Sequence, residues 1–334
     1  MRLAIVGGGL AGSYLYARLQ GEHELTIIEK TPAEKYTAVC AWGTCLYPMR
    51  ELASRAGLNF DDYVLHKGRE MQVRYGSKDL YVRLEGLVTF DKTRFVLDLR
   101  RGAREVNAIA ERALFPYHKY DLVVDATGFV RELLPKMGDD LWVPTVEYLV
   151  KYSQPPLDDF YVEPFPGLTG YAWYFPLGDG LAHVGAGDMK GRHFGWVNEF
   201  LRRYGGEPLR RVGRPVRITP ATRVDPLAQG RSLAVGEAAG AIFPAVGEGI
   251  IPSLQSVEDL LLSGFDPDRY GGLLRRRFRI YDLAYSVIKS KVLQDASWLG
   301  LAPAGLRLYL HLYRNRRRYG LEVPLLPILQ LLRL

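Results

Sequence analysis

The chain has 334 residues, of which 48% are apolar and 24% charged, and its formal net charge is +7. This composition is ordinary for a globular protein, and the length allows a sizeable core. Two cysteines exclude a small fold held by several disulfides, and no apolar run approaches the roughly eighteen residues of a membrane-spanning helix. The start, MRLAIVGGGLAG, is typical of a buried first strand and not of a signal peptide, so we expect a cytoplasmic protein.

The first part of the chain alternates between strand and helix patterns. Apolar periodicity predicts strands at 2–6, 25–30 and 121–128 and helices at 10–20, 48–57 and 91–101. Between them, alternating runs at 71–75, 80–84 and 86–90 with Gly-Ser and Glu-Gly turns predict a meander. The sequence therefore predicts an α/β protein with additional sheet.

Short strands dominate the middle of the chain, where the pattern predicts them at 146–152, 159–165, 171–177 and 181–187. Residues 232–240 predict a strand-to-helix corner, and 250–264 predict a helix with Pro near its start and Gly at its end. The strands and helices typical of a nucleotide-binding domain are interrupted by stretches that predict additional sheet. We therefore expect a discontinuous nucleotide-binding domain with a second domain inserted into it. The predicted boundaries are 1–65, 91–135 and 220–264 for the first, 66–90 and 136–219 for the second, and 265–334 for a basic helical region.

The positive charge is concentrated in that last region. Residues 271–334 hold twelve Lys/Arg against three Asp/Glu, a net +9 that leaves about −2 for the rest. A solvated helix face accounts for such clusters, but the chain ends VPLLPILQLLRL, which is apolar and too short to span a bilayer. A basic stretch before an apolar end fits the cytoplasmic surface of an anionic membrane better than nucleic acid. The sequence does not indicate an oligomeric state.

Gly7, Gly9 and Gly12 form a GxGxxG motif between the first strand and the first helix. The first glycine allows the tight turn, the second lets a pyrophosphate approach the backbone, and the third lets helix and strand pack closely. The helix N-terminus then faces the phosphates. Glu29, at the end of the second strand, is placed to accept hydrogen bonds from the adenosine ribose. The motif leaves open whether the ligand is NAD or FAD.

Two later segments favour a flavin dinucleotide. An extended FAD needs a further strand-to-helix turn with an acid near its ribityl chain, and the corner VGEAAG at 235–240 supplies one. It also needs backbone N–H groups at flavin N1 and C2=O. Residues 247–250, which open the helix at 250–264, supply these, and the positive end of that helix stabilises a reduced flavin anion.

The motifs GxGxxG…E, DKTRFVLDL, DLVVDATG and GEAAGAIFPAVGEGI resemble, in this order, those of p-hydroxybenzoate-hydroxylase-like flavoproteins. YAWYFP at 171–176 further resembles the YxWxFP motif of the geranylgeranyl reductase family, including archaeal digeranylgeranylglycerophospholipid reductases. The resemblance covers about 1–264 and implies a Rossmann-like FAD-binding domain of glutathione-reductase type, an inserted and mostly antiparallel substrate sheet, and a C-terminal helical segment. The FAD-contact positions it implies are Gly7, Gly9, Ala11, Gly12, Glu29, Lys92, Glu237, Gly249 and Ile250.

The chain departs from the family at several of these positions. Glu237 stands where Asp is usual and adds a methylene near the ribityl chain. Lys92 and Val96 stand where Arg and Asp are usual, so that a bidentate contact becomes a point charge. FAD binding is expected to tolerate these changes.

Both cysteines lie in the segment YTAVCAWGTCLYP. Cys40 comes eleven residues after Glu29, as in the family loop that runs along the flavin, so the resemblance makes Cys40, Ala41 and Gly43 flavin neighbours. Three interpretations of Cys40 stay open: an apolar wall residue, a catalytic proton donor or cation-stabilising group beside flavin N5, or a disulfide with Cys45. Cys-x4-Cys without further Cys or His nearby does not indicate zinc, and we expect no metal.

Alternation alone predicts that Tyr171, Trp173 and Phe175 face the core of a plain strand. The resemblance implies instead that this face lines an apolar substrate channel and that Pro176 ends the strand near the flavin. Aromatic rings also stabilise a passing carbocation. The histidines, His183 among them, have no ligand spacing and are expected to be ordinary.

The resemblance implies an FAD-dependent oxidoreductase that saturates C=C bonds of geranylgeranyl or polyprenyl chains, in membrane lipids or prenyl diphosphates, with hydride from flavin N5 and a proton. Without a second GxGxxG unit, electrons are expected from transiently bound NAD(P)H or a reduced carrier such as ferredoxin. Three alternatives stay open: a flavin monooxygenase acting on an aromatic, a lycopene-cyclase-like protein without net redox change, and a redox sensor or electron-transfer subunit that uses both cysteines.

Overall fold

The computed structural model describes residues 1–294 and 298–322. It is a mixed α/β fold, as predicted, with three sheets. The helices are α1 Leu10–Leu19, α2 Leu46–Arg55, α3 Lys92–Leu99, α4 His193–Tyr204, α5 Ile250–Ser263, α6 Pro267–Arg277, α7 Arg279–Gln294, α8 Trp298–Arg314 and α9 Arg316–Tyr319. The strands are β1 Arg2–Val6, β2 Glu24–Glu29, β3 Gly43–Cys45, β4 Val64–Lys67, β5 Glu70–Tyr75, β6 Lys78–Arg83, β7 Leu87–Phe90, β8 Glu105–Asn107, β9 Leu122–Asp125, β10 Trp142–Lys151, β11 Phe160–Pro164, β12 Gly170–Gly178, β13 Leu181–Asp188, β14 Glu207–Arg217, β15 Ala228–Gln229 and β16 Ser232–Ala234.

The first sheet has six strands in the order β15-β16-β9-β1-β2-β8. All neighbours are parallel except β15 and β16. The central strands β1, β2, β9 and β16 are almost wholly buried, which suits the near-continuous apolar runs of a parallel sheet covered on both faces. The carboxyl ends of β1, β2, β9 and β16 therefore meet at one edge, where ligands of open α/β sheets bind.

Helices α1 and α5 pack side by side in the largest buried cluster. Tyr14 is fully buried, and its hydroxyl donates to Glu258 Oε1 over 2.8 Å. Leu254 and Leu260 of α5 are also fully buried in this cluster. The packing fixes the N-terminal ends of both helices beside the same edge of the sheet.

The second sheet has seven strands in the order β14-β10-β13-β12-β11-β5-β6, and only β11 and β5 are parallel. Helix α4 covers one face, where Phe200 packs against Tyr161 and Tyr174. The opposite face carries Trp173 and Phe175. The four strands predicted between 146 and 187 are present, whereas α4 and β14 were not predicted.

The third sheet is β3-β7-β4, antiparallel throughout. The run at 86–90, expected to continue the meander after β6, pairs instead with β3 and β4, so that part of the expectation is wrong. The reason is burial: Val88, Thr89 and Phe90 are all buried, which requires cover on both faces. This sheet joins β3, which precedes the predicted boundary at 65/66, to β7, which follows it, and β4 crosses that boundary. The domain boundaries stay a prediction.

The C-terminal part is helical, and α9 packs against the third sheet. The Cys45 thiol donates to the carbonyl oxygen of Arg317 over 2.9 Å, and Glu85 pairs with Arg316 and Arg317. Within the described ranges, no helix combines the length and apolar character needed to cross a bilayer. The apolar segment 323–334 that suggested membrane attachment lies outside the described residues.

Candidate functional site

The turn between β1 and α1 has the geometry of a dinucleotide-binding turn. Gly7 has φ of 101°, in the region that favours glycine, and a Cβ on Gly12 would lie 2.0 Å from the Gly7 carbonyl oxygen. Gly9 caps α1 without a side-chain hydrogen bond, and a Cβ there would approach only the Tyr36 hydroxyl, at 4.0 Å. The amide end of α1 is therefore open to an anion.

Glu29 lies beside this turn at the end of β2, as predicted from its spacing. Its Oε2 accepts from the Gly8 amide over 2.7 Å and its Oε1 from the Thr31 amide over 2.9 Å. A carboxylate has about four lone-pair positions, so both oxygens can still accept a hydroxyl. Glu29 can thus hold a ribose.

Arg100 and Tyr36 complete this end of the site, and the sequence analysis did not identify them. Arg100 is 2% exposed; its Nη1 donates to the Gly8 carbonyl oxygen over 3.1 Å, and its guanidinium lies 4.7 Å from the Tyr36 ring. Its Nη2 has no hydrogen-bond partner among the described residues. Burial raises the pKa of Tyr36 to about 12. Glu105 Oε1 lies 3.3 Å from Arg100 Nε and offsets part of its charge, but the free Nη2 donor beside the turn still favours an anionic group there.

The corner after β16 approaches the same turn from the other side. Gly236 has φ of 64°, and a Cβ on it would lie 2.8 Å from the Ala11 Cβ. Glu237 accepts from the Arg217 amide over 2.9 Å and lies 3.1 Å from Arg214 Nη2. This carboxylate raises the pKa of Arg214. Ala11 and Glu237, predicted from distant motifs, are therefore close together.

Helix α5 begins at Ile250 with Gly249 as its N-cap, and it was expected to present amides to a flavin. The structure adds Glu248, whose Oε1 accepts from the Ile251 amide over 2.9 Å. Burial raises the pKa of Glu248 to about 7, and the positive charge of Lys92 opposes this shift. Lys92, the first residue of α3, thus acts on the α5 end of the site, and Glu248 caps one of the amides available to a ligand.

The segment 40–43 lies between these elements and the second sheet. Cys40 and Ala41 are half-buried, and the Trp42 amide donates to Cys40 Sγ over 3.4 Å. A Cβ on Gly43 would lie 2.6 Å from the Phe175 ring, so the segment touches the sheet through Phe175. Both cysteines lie in the described part of the chain and are free thiols. Burial raises the pKa of Cys45 to about 12.

Tyr171, Trp173 and Phe175 share the face of β12 that is directed towards segment 40–43. The Tyr171 hydroxyl donates to the Val246 carbonyl oxygen over 2.6 Å, which ties this face to the loop before α5. The Tyr171 and Trp173 rings are 5.6 Å apart. Pro176 is buried, and its carbonyl oxygen accepts from Thr89 Oγ1 over 2.6 Å. The predicted aromatic wall and the predicted flavin neighbours thus meet.

Glu147 and His183 form a buried pair in this wall that the sequence analysis missed. Glu147 Oε1 lies 3.1 Å from His183 Nδ1, Oε2 accepts from Trp173 Nε1 over 3.2 Å, and the His183 ring is 4.8 Å from the Trp42 ring. Glu147 is 4% and His183 0% exposed. Strand register places all three side chains on one face, because Glu147 and Trp173 both lie opposite Gly185 and His183 is two residues from Gly185 on β13. Alternation in VEYLVKY was the only signal for Glu147.

These observations fit a dinucleotide that extends from Glu29 past the amide end of α1 and Glu237 to the start of α5. Its far end would reach the space between segment 40–43 and the aromatic face of β12. Apart from Lys92, which lies on α3, each sequence-predicted position lies on or beside one of these elements, and the roles assigned to them stay predictions.

No protein-family model matches the chain. An uncharacterised protein of Methanocaldococcus jannaschii is 26% identical over 245 residues, which span 61% of this chain and 64% of that protein. The match thus covers less than two thirds of the length of this relative.

Several solved structures share the fold. A geranylgeranyl bacteriochlorophyll reductase-like protein of Thermoplasma acidophilum has a TM-score of 0.69 and 18% identity, with 87% of each chain covered. PqsL of Pseudomonas aeruginosa, described as a probable FAD-dependent monooxygenase, has a TM-score of 0.60 and 14% identity, with 88% of this chain and 97% of that one covered. A flavin-dependent halogenase from Brevundimonas has a TM-score of 0.63 and 16% identity, with 87% of this chain and 78% of that one covered. The chain therefore has the p-hydroxybenzoate-hydroxylase-like fold of these flavoproteins, and its resemblance to a geranylgeranyl-reductase-like protein is confirmed at the level of the fold.

Proposed function

We propose that the protein is an FAD-dependent oxidoreductase that saturates isolated C=C bonds of geranylgeranyl or other polyprenyl chains, in membrane lipids or prenyl precursors. The observation that carries this proposal is the placement of the Tyr171–Trp173–Phe175 face against segment 40–43. An unactivated alkene requires a dry, apolar slot beside the redox group. The contact between Gly43 and Phe175 brings such a wall to the segment that resembles the flavin loop.

In this proposal each end of the site holds one part of FAD. The α1 amides beyond Gly9 hold the pyrophosphate, Glu29 holds the adenosine ribose, and Glu237 holds the ribityl chain. Gly249 and Ile250 face the pyrimidine edge, with Cys40, Ala41 and Gly43 along the ring. When bound and reduced, FAD supplies the hydride.

The chain itself must supply a proton and stabilise positive charge. Hydride and proton together saturate one C=C bond, so one proton is consumed per bond. Cys40 holds a proton at Sγ beside the proposed ring and is half-exposed, so that solvent can replace the proton. The faces of Trp173 and Tyr171 stabilise positive charge that develops on the alkene. The electrons come from NAD(P)H that binds transiently or from a small carrier such as a reduced ferredoxin.

The test is a single-turnover reduction. The purified protein is loaded with FAD, reduced anaerobically with dithionite, and mixed with geranylgeranyl lipids and geranylgeranyl diphosphate. We expect flavin reoxidation and products heavier by two hydrogens per bond. Cys40→Ala should keep bound FAD but lose most of the rate, whereas Cys45→Ala, in which the changed thiol faces Arg317, should keep the rate. Reoxidation by none of the lipids would contradict the reductase proposal.

A monooxygenase acting on an aromatic substrate is the second candidate, and the Glu147–His183 pair favours it. The pair is buried directly against Trp173 and Trp42, and a polar group behind an aromatic wall suits a substrate that carries a hydroxyl or amine better than a wholly apolar chain. Under this alternative, NAD(P)H oxidation and oxygen uptake rise together when an aromatic is added, and prenyl lipids have no effect. Oxygen-electrode measurements with both substrate classes separate the two functions.

A further inference from the structure

Helix α8 carries an exposed apolar stripe. Leu306, Leu310 and Tyr313 are 47%, 40% and 50% exposed, and their spacing of four and three residues puts them on one face of the helix. Single exposed apolar residues are normal, but a continuous stripe marks an interaction surface. The stripe therefore needs an explanation that the proposed catalytic site does not provide.

Arginines border the stripe. Arg307 and Arg314 are exposed beside it on α8, and Arg316 and Arg317 continue the charge on α9. Residues 298–319 contain no Asp or Glu. Glu85 pairs with both Arg316 and Arg317, so that one carboxylate opposes two guanidinium groups. The surface formed by α8 and α9 thus combines an apolar stripe with uncompensated positive charge.

We propose that this α8–α9 surface lies on an anionic lipid bilayer. An amphipathic helix with apolar residues on one side and Arg beside them binds in the interface of such a bilayer, and each basic residue adds to the attraction. The sequence that follows residue 322, VPLLPILQLLRL, contains a single charged residue, Arg333, and continues the apolar and basic character. The phosphates of a nucleic acid would pair with the arginines but would leave the exposed leucines in contact with water.

The same surface is joined to the candidate site. The Cys45 thiol donates to the Arg317 carbonyl oxygen, and Cys45 ends the strand that begins at Gly43. Tyr47, 45% exposed, lies just beyond this strand at the start of α2. Bilayer contact through α8 and α9 would therefore bring segment 40–43 close to the lipid surface. Membrane binding itself does not depend on the proposed reductase activity.

The experiment is flotation of the full chain with vesicles of phosphatidylcholine alone and of phosphatidylcholine with phosphatidylglycerol, at low and high salt. We expect binding to the anionic vesicles only, with weaker binding at high salt because screening reduces the attraction. The double variant Arg307→Gln/Arg314→Gln should weaken binding about thirty-fold, at roughly five-fold per basic residue. Leu306→Ser/Leu310→Ser should also weaken it about tenfold or more.

The matched control variants remove exposed arginines and an exposed leucine from surfaces outside α8 and α9. Arg202→Gln/Arg203→Gln on exposed positions of α4 and Leu209→Ser on β14, where Leu209 is 50% exposed, should bind as the unchanged protein does. Circular dichroism checks the folding of every variant. The proposal is overturned if the α8 variants bind normally, or if binding depends only on residues 323–334. It is also overturned if light scattering shows that the leucine variants abolish self-association instead, or if the surface retains nucleic acid and not vesicles.

Discussion

Replacing Glu147 tests whether the buried pair with His183 supports the aromatic wall. Glu147→Leu removes the acceptor of Trp173 Nε1 and the carboxylate that lies 3.1 Å from His183 Nδ1, although neither nitrogen of the His183 ring makes a hydrogen bond within the described residues. Only Trp173 Nε1 newly loses a hydrogen bond, and an unsatisfied buried polar group costs about 1–3 kcal/mol, so the free energy of unfolding should fall by about 1–3 kcal/mol. Glu147→Gln keeps one acceptor oxygen, which can still face Trp173 Nε1. Because that hydrogen bond is kept, it should cost about 1 kcal/mol or less.

Equilibrium urea unfolding, followed by far-ultraviolet circular dichroism, measures these differences. The double variant Glu147→Leu/His183→Leu leaves only Trp173 Nε1 unsatisfied and should be more stable than Glu147→Leu alone. Glu163 is the matched control, because it accepts from Tyr161 and Trp196 on the α4 side of the same sheet. Glu163→Leu should destabilise without affecting FAD binding. If Glu147→Leu unfolds within about 0.5 kcal/mol of the unchanged protein, the pair has no structural role and the reasoning is refuted.

Three further predictions concern the cofactor end of the site. Gly12→Val would place its Cβ 2.0 Å from the Gly7 carbonyl oxygen, so the purified variant should lack flavin absorbance, whereas Gly138→Val at an unobstructed surface turn should retain it. Because burial raises the pKa of Glu248 from its ordinary 4.5 to about 7 in the folded chain, the folded state binds the proton more tightly. The stability of the unchanged protein relative to Glu248→Gln should therefore fall as pH rises from about 4.5 to about 7, and thermal unfolding midpoints that run parallel across this range would contradict this. Finally, iodoacetamide near neutral pH should label Cys40 much faster than Cys45, because Cys40 is half-buried whereas Cys45 is 2% exposed and has a pKa of about 12. Peptide mass spectrometry measures the order of labelling. Faster labelling of Cys45 would contradict the structure.

Local sequence patterns determined the dinucleotide half of the fold. The strand, glycine turn and helix over residues 2–19 are adjacent in sequence, so the apolar run and the glycine spacing are sufficient to predict them. The same holds for β12, where alternation showed that Tyr171, Trp173 and Phe175 share a face. Helix α4 could have been predicted, because Val197, Phe200 and Leu201 recur at helical spacing, but the sequence analysis missed this pattern. Strand β14 left little signal, since two prolines and five arginines or glutamates interrupt its alternation.

The tertiary structure decided which distant residues meet. Nothing local in the sequence indicates that the strand at 87–90 leaves the meander to pair with β3 and β4, or that Arg100 lies against Gly8. The pairing of Glu147 with His183 follows from the register of β10 on β13, and register depends on the burial of whole strands and not on neighbouring residues. A sequence pattern can assign a residue to a face, but the partner opposite it is set by contacts that form only when the sheets assemble.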